Sequence, residues 1–172
     1  YQRRVRGDAM FTESHIRQEF SKLDRDRSGS ISLQEATKSF NELRCPQPTA
    51  KLLLESITDS LEIDFVTFKR FYSHLQSFKI AFDSTQRDGK IDIKQLVAAL
   101  DLLDFPPINA SLLHAIQIKF DPNKNGIEFG EFVSICSYLL LCNKLVKKYD
   151  RQGLGRIELD FNGVGCLGMW FL

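Results

Sequence analysis

The chain has 172 residues, of which 43% are apolar and 26% charged, a balance typical of a folded globular protein. Its 23 Lys and Arg against 22 Asp and Glu leave a net charge of +1, which argues against a nucleic-acid binder that relies on overall positive charge. No purely apolar run approaches the roughly 20 residues that a membrane-spanning helix needs. The composition is unusual in its 14 Phe against a single Trp.

An isoleucine recurs five times along the chain, each time followed two residues later by another apolar residue. The pairs are Ile31/Leu33, Ile63/Phe65, Ile91/Ile93, Ile127/Phe129 and Ile157/Leu159. Residues with helical spacing flank each pair, as Ile16 and Phe20 do before the first. The sequence therefore predicts an all-α fold of five helix–loop–helix hands (EF-hands), with many of the phenylalanines on the helix faces.

The first loop, Asp24 to Glu35, has the pattern of a calcium-binding loop. Calcium binds six to eight oxygen atoms, and a twelve-residue loop supplies them from alternate positions. We expect a turn at Gly29, a bridging water at Ser32 and backbone pairing of Ile31 with the matching residue of a neighbouring loop. The predicted direct ligands are Asp24, Asp26, Ser28, the backbone carbonyl of Ser30, and Glu35.

The second and third loops are weaker candidates. The second has Leu61 in place of the glycine and Thr67 in place of the closing glutamate, so it is predicted to be structural. The third is open to two registers, one through Ser84, Gln86 and Asp88 and one that starts at Asp83 and Thr85 with an inserted residue. Both registers end at the neutral Gln95.

The fourth loop is a second, weaker calcium candidate, and the fifth is not expected to bind metal. One residue is missing after Gly126, so that Glu131 arrives at the eleventh position instead of the twelfth. The candidate ligands of the fourth loop are Asp121, Asn123, Asn125 and Glu131. The fifth loop begins at Asp150 and has Phe161, which cannot bind metal, at its closing position.

The spacing between the isoleucines indicates how the hands pair. It alternates through 32, 28, 36 and 30 residues, so the short intervals fit a shared helix and the long ones a linker, Arg44–Thr49 or Phe105–Asn109. Hands one and two, and three and four, are then expected to pair, which leaves the fifth unpaired. Its apolar residues Ile157, Leu159 and Phe161 would mediate a dimer. Instead of this, or together with it, the apolar tail would fold back onto its own molecule.

Five hands with an unmatched fifth resemble the penta-EF-hand family, which includes the programmed-cell-death-six type, sorcin, grancalcin and the calcium-binding domains of calpains. The resemblance covers a domain at 12–172, after an N-terminal segment at 1–11. It implies dimerisation through the fifth hand and calcium-triggered binding of partner proteins, Pro-rich segments among them, or of membranes. The third hand departs from the family, because Gln95 stands where a strong site usually has a carboxylate.

These features predict a calcium sensor and adaptor that responds mainly through its first hand. The alternatives are a largely calcium-independent dimeric scaffold and a calpain-like regulatory subunit. In each case the fifth hand would form either a homodimer or a heterodimer. No enzymatic activity is expected, because His15, His74 and His114 are isolated in the sequence and no nucleophile signature is present. Four scattered cysteines favour a reducing compartment, so we expect a cytoplasmic protein that moves to membranes with Ca²⁺.

Overall fold

The computed structural model describes residues 11–39 and 47–169, which form helices joined by short loops and two small β-ribbons. The elements in chain order are α1 (Glu13–Leu23), β1 (Ser30–Ser32), α2 (Leu33–Ser39), α3 (Gln47–Ile57), β2 (Glu62–Asp64), α4 (Phe65–Thr85), β3 (Lys90–Ile91), α5 (Ile93–Leu102), α6 (Ala110–Phe120), β4 (Ile127–Glu128), α7 (Phe129–Tyr149) and α8 (Phe161–Met169). This order confirms the predicted all-α class.

Polar side chains placed at the helix starts explain where several helices begin. Thr12 precedes α1, and its hydroxyl oxygen accepts a hydrogen bond from the His15 N–H at 3.3 Å. At the start of α5, Asp92 and Gln95 form a reciprocal capping box, with side-chain to backbone distances of 2.8 and 2.7 Å. Such caps satisfy N–H groups that have no partner within the helix.

The isoleucine repeat forms the two ribbons. Ile31 lies opposite Ile63 in the antiparallel pair β1–β2, and Ile91 lies opposite Ile127 in β3–β4. All four side chains are buried. The predicted pairing of hands one with two, and three with four, is therefore confirmed.

Two long helices connect consecutive hands, as the short intervals predicted. Both α4 and α7 have 21 residues, α4 running from the second loop to the third and α7 from the fourth towards the fifth. Phe105–Asn109 is a linker between α5 and α6. The other predicted linker, Arg44–Thr49, ends too late, because α3 already begins at Gln47. The residues of this predicted linker before Gln47 lie outside the described part of the chain.

Aromatic side chains fill the core between the helices. Phe20 packs edge-on against Phe68 of α4, with ring centroids 5.4 Å apart, and Phe82 contacts Phe132 of α7 at 5.5 Å. Of the phenylalanines predicted to flank the loops, Phe40 lies outside the described residues. The others are buried or half-buried: Phe20, Phe65, Phe68, Phe71, Phe120, Phe129 and Phe132. Phe11, in the predicted N-terminal segment, also joins the core, 4.9 Å from the Tyr72 ring.

A polar contact joins the second and fourth hands. The hydroxyl groups of Thr49, near the start of α3, and Ser134, in α7, lie 2.7 Å apart. Thr49 is buried, and the Ser134 hydroxyl also donates to the Gly130 carbonyl at 3.0 Å. The contact satisfies polar groups within the core, where an unpaired hydroxyl would be costly.

The chain divides into two compact units, one ending at Leu141 and one beginning at Cys142. The second unit contains the fifth loop and α8, and among its described residues Ile157 and Leu159 belong to no strand. By length and composition alone α7 would suffice to cross a membrane, but core helices share those properties. Its buried residues Phe132, Val133 and Ile135 belong to the core of the first unit.

Candidate calcium-binding loops

Hydrogen bonds organise the first loop around the carboxylate of Asp24. The N–H of Gly29, which has a φ of 81°, donates to Asp24 Oδ2 at 3.0 Å. The Ser28 hydroxyl lies 3.3 Å from Asp24 Oδ1 and 3.0 Å from the carbonyl oxygen of Ser30. The structure therefore brings three of the predicted ligand residues together around one hydroxyl group.

Asp26 adds a second carboxylate to this arrangement. The N–H of Ser28 donates to Asp26 Oδ1 at 3.1 Å. This backbone hydrogen bond, followed by one from the Ser28 side chain, lowers the pKa of Asp26 below its usual value. The carboxylate is therefore ionised at neutral pH, as a calcium ligand must be.

The closing residue Glu35 is engaged at the start of α2. Its Oε2 accepts hydrogen bonds from the Ser32 N–H at 3.0 Å and from the Ser32 hydroxyl at 2.8 Å. No group of three or more His, Cys, Asp or Glu side chains converges within metal-binding reach in the described part of the chain. Glu35 therefore contacts the predicted ninth-position residue, and binding as a ligand would require its carboxylate to move.

The second loop satisfies its own polar groups with short side chains. The Ser60 N–H donates to the Thr58 hydroxyl at 3.0 Å, and the Glu62 N–H to the Ser60 hydroxyl at 3.1 Å. Asp64 caps α4, since its Oδ1 accepts from the Thr67 N–H at 2.8 Å. The structural role predicted for this hand stays a prediction.

The third loop is shorter than either register proposed. Asp83, Ser84 and Thr85 all lie within α4, where the Ser84 hydroxyl donates to the Ile80 carbonyl at 2.7 Å. The chain then reverses through Asp88 and Gly89, whose φ angles are 50° and 81°. Two left-handed residues in succession are typical of a tight hairpin turn, so the loop between α4 and β3 is shorter than the ligand loop that either register requires.

The predicted residues of the fourth loop line one cavity of about 330 Å³. Its wall includes Asp121, Asn123, Asn125 and Glu131. Asp121 is only 6% exposed, and its Oδ1 accepts from the Gly126 N–H at 3.0 Å. Glu131 Oε2 accepts from the Glu128 N–H at 2.8 Å.

Two charged residues in the wall of this cavity were absent from the predicted site, Lys90 and Glu128. Lys90 Nζ lies 3.4 Å from Glu128 Oε1. The repeat contained the signal for this pair: once Ile91 pairs with Ile127 in an antiparallel ribbon, the residue before Ile91 faces the residue after Ile127.

In the fifth loop the first carboxylate accepts hydrogen bonds from the loop backbone, and an exposed aromatic ring lies at the end of the loop. Asp150 accepts backbone hydrogen bonds from the N–H groups of Leu154 at 3.0 Å and Gly155 at 2.5 Å, and these lower its pKa. Phe161 begins α8 and is 90% exposed, while Leu159 is exposed and Ile157 half-buried. The dimer interface predicted at these three residues stays a prediction.

Known proteins similar to this chain include sorcin from Schistosoma japonicum, 28% identical over 85% of this chain and 89% of that protein. Penta-EF hand domain-containing protein 2 from Dictyostelium discoideum is 25% identical over 82% of this chain and 71% of that protein. Peflin from Danio rerio is 23% identical over 83% of this chain, which spans only 56% of the peflin length. No protein-family profile matches the chain.

A solved structure, of a homologue of programmed cell death 6 protein from Leishmania major, supports the same fold. It superposes with a TM-score of 0.60 at 22% identity, covering 95% of this chain and 93% of that one. At this identity the likeness concerns the fold alone.

Proposed function

We propose, from the confirmed likeness to penta-EF-hand proteins, that this chain is a calcium-binding adaptor that responds to Ca²⁺ mainly through its first loop. The observation that supports the proposal is the hydrogen-bonded arrangement of Asp24, Ser28 and Ser30 in that loop. These groups already lie close together, so little chain entropy is lost when they bind an ion.

The chemistry of the first loop suits calcium. Its donors are carboxylate, hydroxyl and carbonyl oxygens, the ligands that a hard cation prefers, and three of its residues carry negative charge. The fourth loop has only two charged residues among its predicted ligands, so we expect weaker binding there. For the first loop we expect a dissociation constant on the order of 10⁻⁷ to 10⁻⁵ M, the range of calcium sensors.

Movement of Glu35 would couple binding to the rest of the molecule. To serve as the closing ligand, Glu35 gives up its hydrogen bonds to Ser32 and turns towards Asp24. The next residue, Ala36, is fully buried, and α2 contacts both α1 and α3. A shift of Glu35 would therefore displace α2 and expose apolar surface for a partner.

The variant Glu35→Gln tests this mechanism, because it replaces the closing carboxylate with a neutral amide. We expect the variant to lose calcium-dependent binding of a hydrophobic dye and the high-affinity phase in calorimetry. Glu158→Gln is the control, since it also removes one negative charge but from an exposed residue of the fifth loop. A Glu35→Gln variant whose dye response to calcium equals that of the unmodified chain would refute the proposal.

The fifth hand is the proposed site of dimerisation, through Ile157, Leu159 and Phe161. The exposure of Phe161 supports this, because a large aromatic side chain on the surface is typical of an interface. Partner proteins, including those with Pro-rich segments, and calcium-dependent attachment to membranes belong to the same proposal, as does a cytoplasmic location. We expect no enzymatic activity.

A calcium-independent dimeric scaffold, or a calpain-like regulatory subunit, is the second candidate. The second and third loops favour it, since their polar groups are satisfied within the loops or adjoining helices. A partner retained equally in chelator and in calcium would support the scaffold. Co-purification with a large catalytic chain would support the regulatory subunit.

A further inference from the structure

We propose that Lys90, a residue of the third loop, places its positive charge beside the fourth loop and so lowers the affinity of the fourth loop for calcium. The inference rests on the proposed calcium function and identifies a residue that sets the order in which the loops respond.

Lys90 reaches the fourth loop because of the ribbon register. It lies directly opposite Glu128 in the β3–β4 pair, and its Nζ is 3.4 Å from Glu128 Oε1. Its aliphatic stem crosses the turn at Gly126, where an added Cβ would come within 3.0 Å of Lys90 Cβ. The side chain therefore lies over the loop, with its ammonium group beside a carboxylate.

Lys90 and its partner Glu128 belong to the wall of the cavity that the predicted ligands line. Lys90, Asp121 and Glu131 line the same space of about 330 Å³. A divalent ion bound to Asp121 and Glu131 would therefore share this space with a positively charged side chain. A unit charge about 6 Å from a divalent ion repels it by roughly 1.4 kcal/mol even in a water-like dielectric.

The residue that corresponds to Lys90 beside the first loop is Glu62 of the second loop, which carries the opposite charge. Glu62 precedes Ile63 just as Lys90 precedes Ile91, and it lies opposite Ser32 in the β1–β2 pair. Glu62 Oε2 lies 3.4 Å from the Ser30 hydroxyl, beside a residue whose carbonyl is a predicted ligand. The paired loop thus adds a negative charge next to the first loop and a positive charge next to the fourth.

The test measures calcium binding to the fourth loop by calorimetry in the Glu35→Gln background. Adding Lys90→Gln should raise the affinity about tenfold, the effect of one unit charge on a divalent ion about 6 Å away in a water-like dielectric. Lys124→Gln is the matched control, because Lys124 belongs to the same loop but not to the cavity wall. Adding Glu131→Gln should abolish the heat and so assign it to the fourth loop.

A second measurement needs no calcium. In chelator, Lys90→Gln should unfold at a lower temperature than the Lys124→Gln chain, because the carboxylates of the fourth loop lose their counter-charge. In the chain with an intact first loop, Glu62→Gln should weaken calcium binding there.

The proposal is overturned if Lys90→Gln and Lys124→Gln raise the affinity equally, or if Lys90→Gln leaves it within about twofold of the background. It is also overturned if no binding to the fourth loop is detected in the Lys90→Gln chain at millimolar calcium. Failure of the proposed function is a separate result. The unmodified chain would then lack the high-affinity calcium-binding phase in calorimetry that Glu35→Gln is expected to remove.

Discussion

Asp64 connects the second loop to α4 through one carboxylate. It is the last residue of β2, and its Oδ1 accepts a hydrogen bond from the Thr67 N–H at 2.8 Å. This bond and a second one from the Thr67 hydroxyl lower the pKa of Asp64 below its usual value. The residue in the ninth position of the second loop, which the sequence predicts to be structural, therefore stabilises a helix.

Replacing Asp64 with alanine should lower the free energy of unfolding by about 1 kcal/mol at neutral pH, whereas Asp64→Asn should retain most of the stability. Because the folded-state pKa is lowered, the charged carboxylate stabilises the fold above the unfolded-state pKa. That contribution is lost as the pH falls through the folded-state pKa. Urea unfolding at neutral pH and at a series of lower pH values that extends below the unfolded-state pKa measures both effects. If the Asp64→Ala chain were as stable as the unmodified one, the hydrogen bond from Thr67 to Asp64 would not stabilise the fold.

The sequence is informative about ligand positions but does not decide between side-chain partners. The spacing of Asp24, Asp26 and Ser28 identified side chains that the structure places in one hydrogen-bonded loop. The spacing of Ser32 and Glu35 is also that of a capping box, and the structure has both of its hydrogen bonds, at 3.0 and 3.2 Å. The sequence therefore contained a signal for this contact as well as for the closing ligand, and it did not decide between them. Lys90 was missed because its role depends on the residue across the ribbon, although the isoleucine register predicts that neighbour.

Among the elements, α4 and α7 pack through a group of aromatic rings. Phe132 of α7 is fully buried and contacts both Phe78 and Phe82 of α4, at centroid distances of 6.4 and 5.5 Å. Phe129, at the start of α7, also contacts Phe82 at 5.4 Å. These contacts join the helix that follows the fourth loop to the helix that precedes the third.

The variant Phe132→Ala should lower the free energy of unfolding by about 3–5 kcal/mol, because it removes a buried ring and leaves a cavity. Val66→Ala, at an exposed position of α4, should change it by less than about 0.5 kcal/mol. Chemical denaturation followed by circular dichroism compares the two. Equal stabilities for both variants would show that this aromatic contact contributes little.

The length of the third loop could not be read from ligand spacing. No glycine or proline interrupts Asp83 to Thr85, and the side chains of Ser84 and Thr85 hydrogen-bond to carbonyls of the preceding turn. The helix therefore continues where both registers placed a loop. The Asp88–Gly89 sequence indicates the turn that follows, since this dipeptide favours two left-handed residues.

At the scale of the whole molecule, Phe161 provides the test of association. Phe161→Asp should convert a dimer into a monomer, because it places a charge in an apolar contact. Leu61→Asp is the control, since Leu61 is 78% exposed but belongs to the second hand. Light scattering and sedimentation equilibrium measure the mass. A dimer that persists in Phe161→Asp, or an unmodified chain that is monomeric, would contradict the assignment.

The pairing of four hands was predictable because each ribbon residue recurs at a regular interval. The fate of the fifth could not be derived in the same way, since the other four repeats pair with one another and leave it without a counterpart among them. The alternative in which the apolar tail folds back involves Trp170–Leu172, which lie outside the described residues.

The continuity of α4 has a mechanical consequence. With 21 residues at a rise of about 1.5 Å each, it spans roughly 30 Å from the end of β2 to the start of the third loop. No proline or glycine interrupts α4, so the helix has no hinge between Asp64 and Gln86. A rotation of one end about the helix axis would therefore rotate the other end. One inserted residue would turn its far end by about 100°. The helical phase of α4, and not only its length, therefore limits which insertions the chain can tolerate.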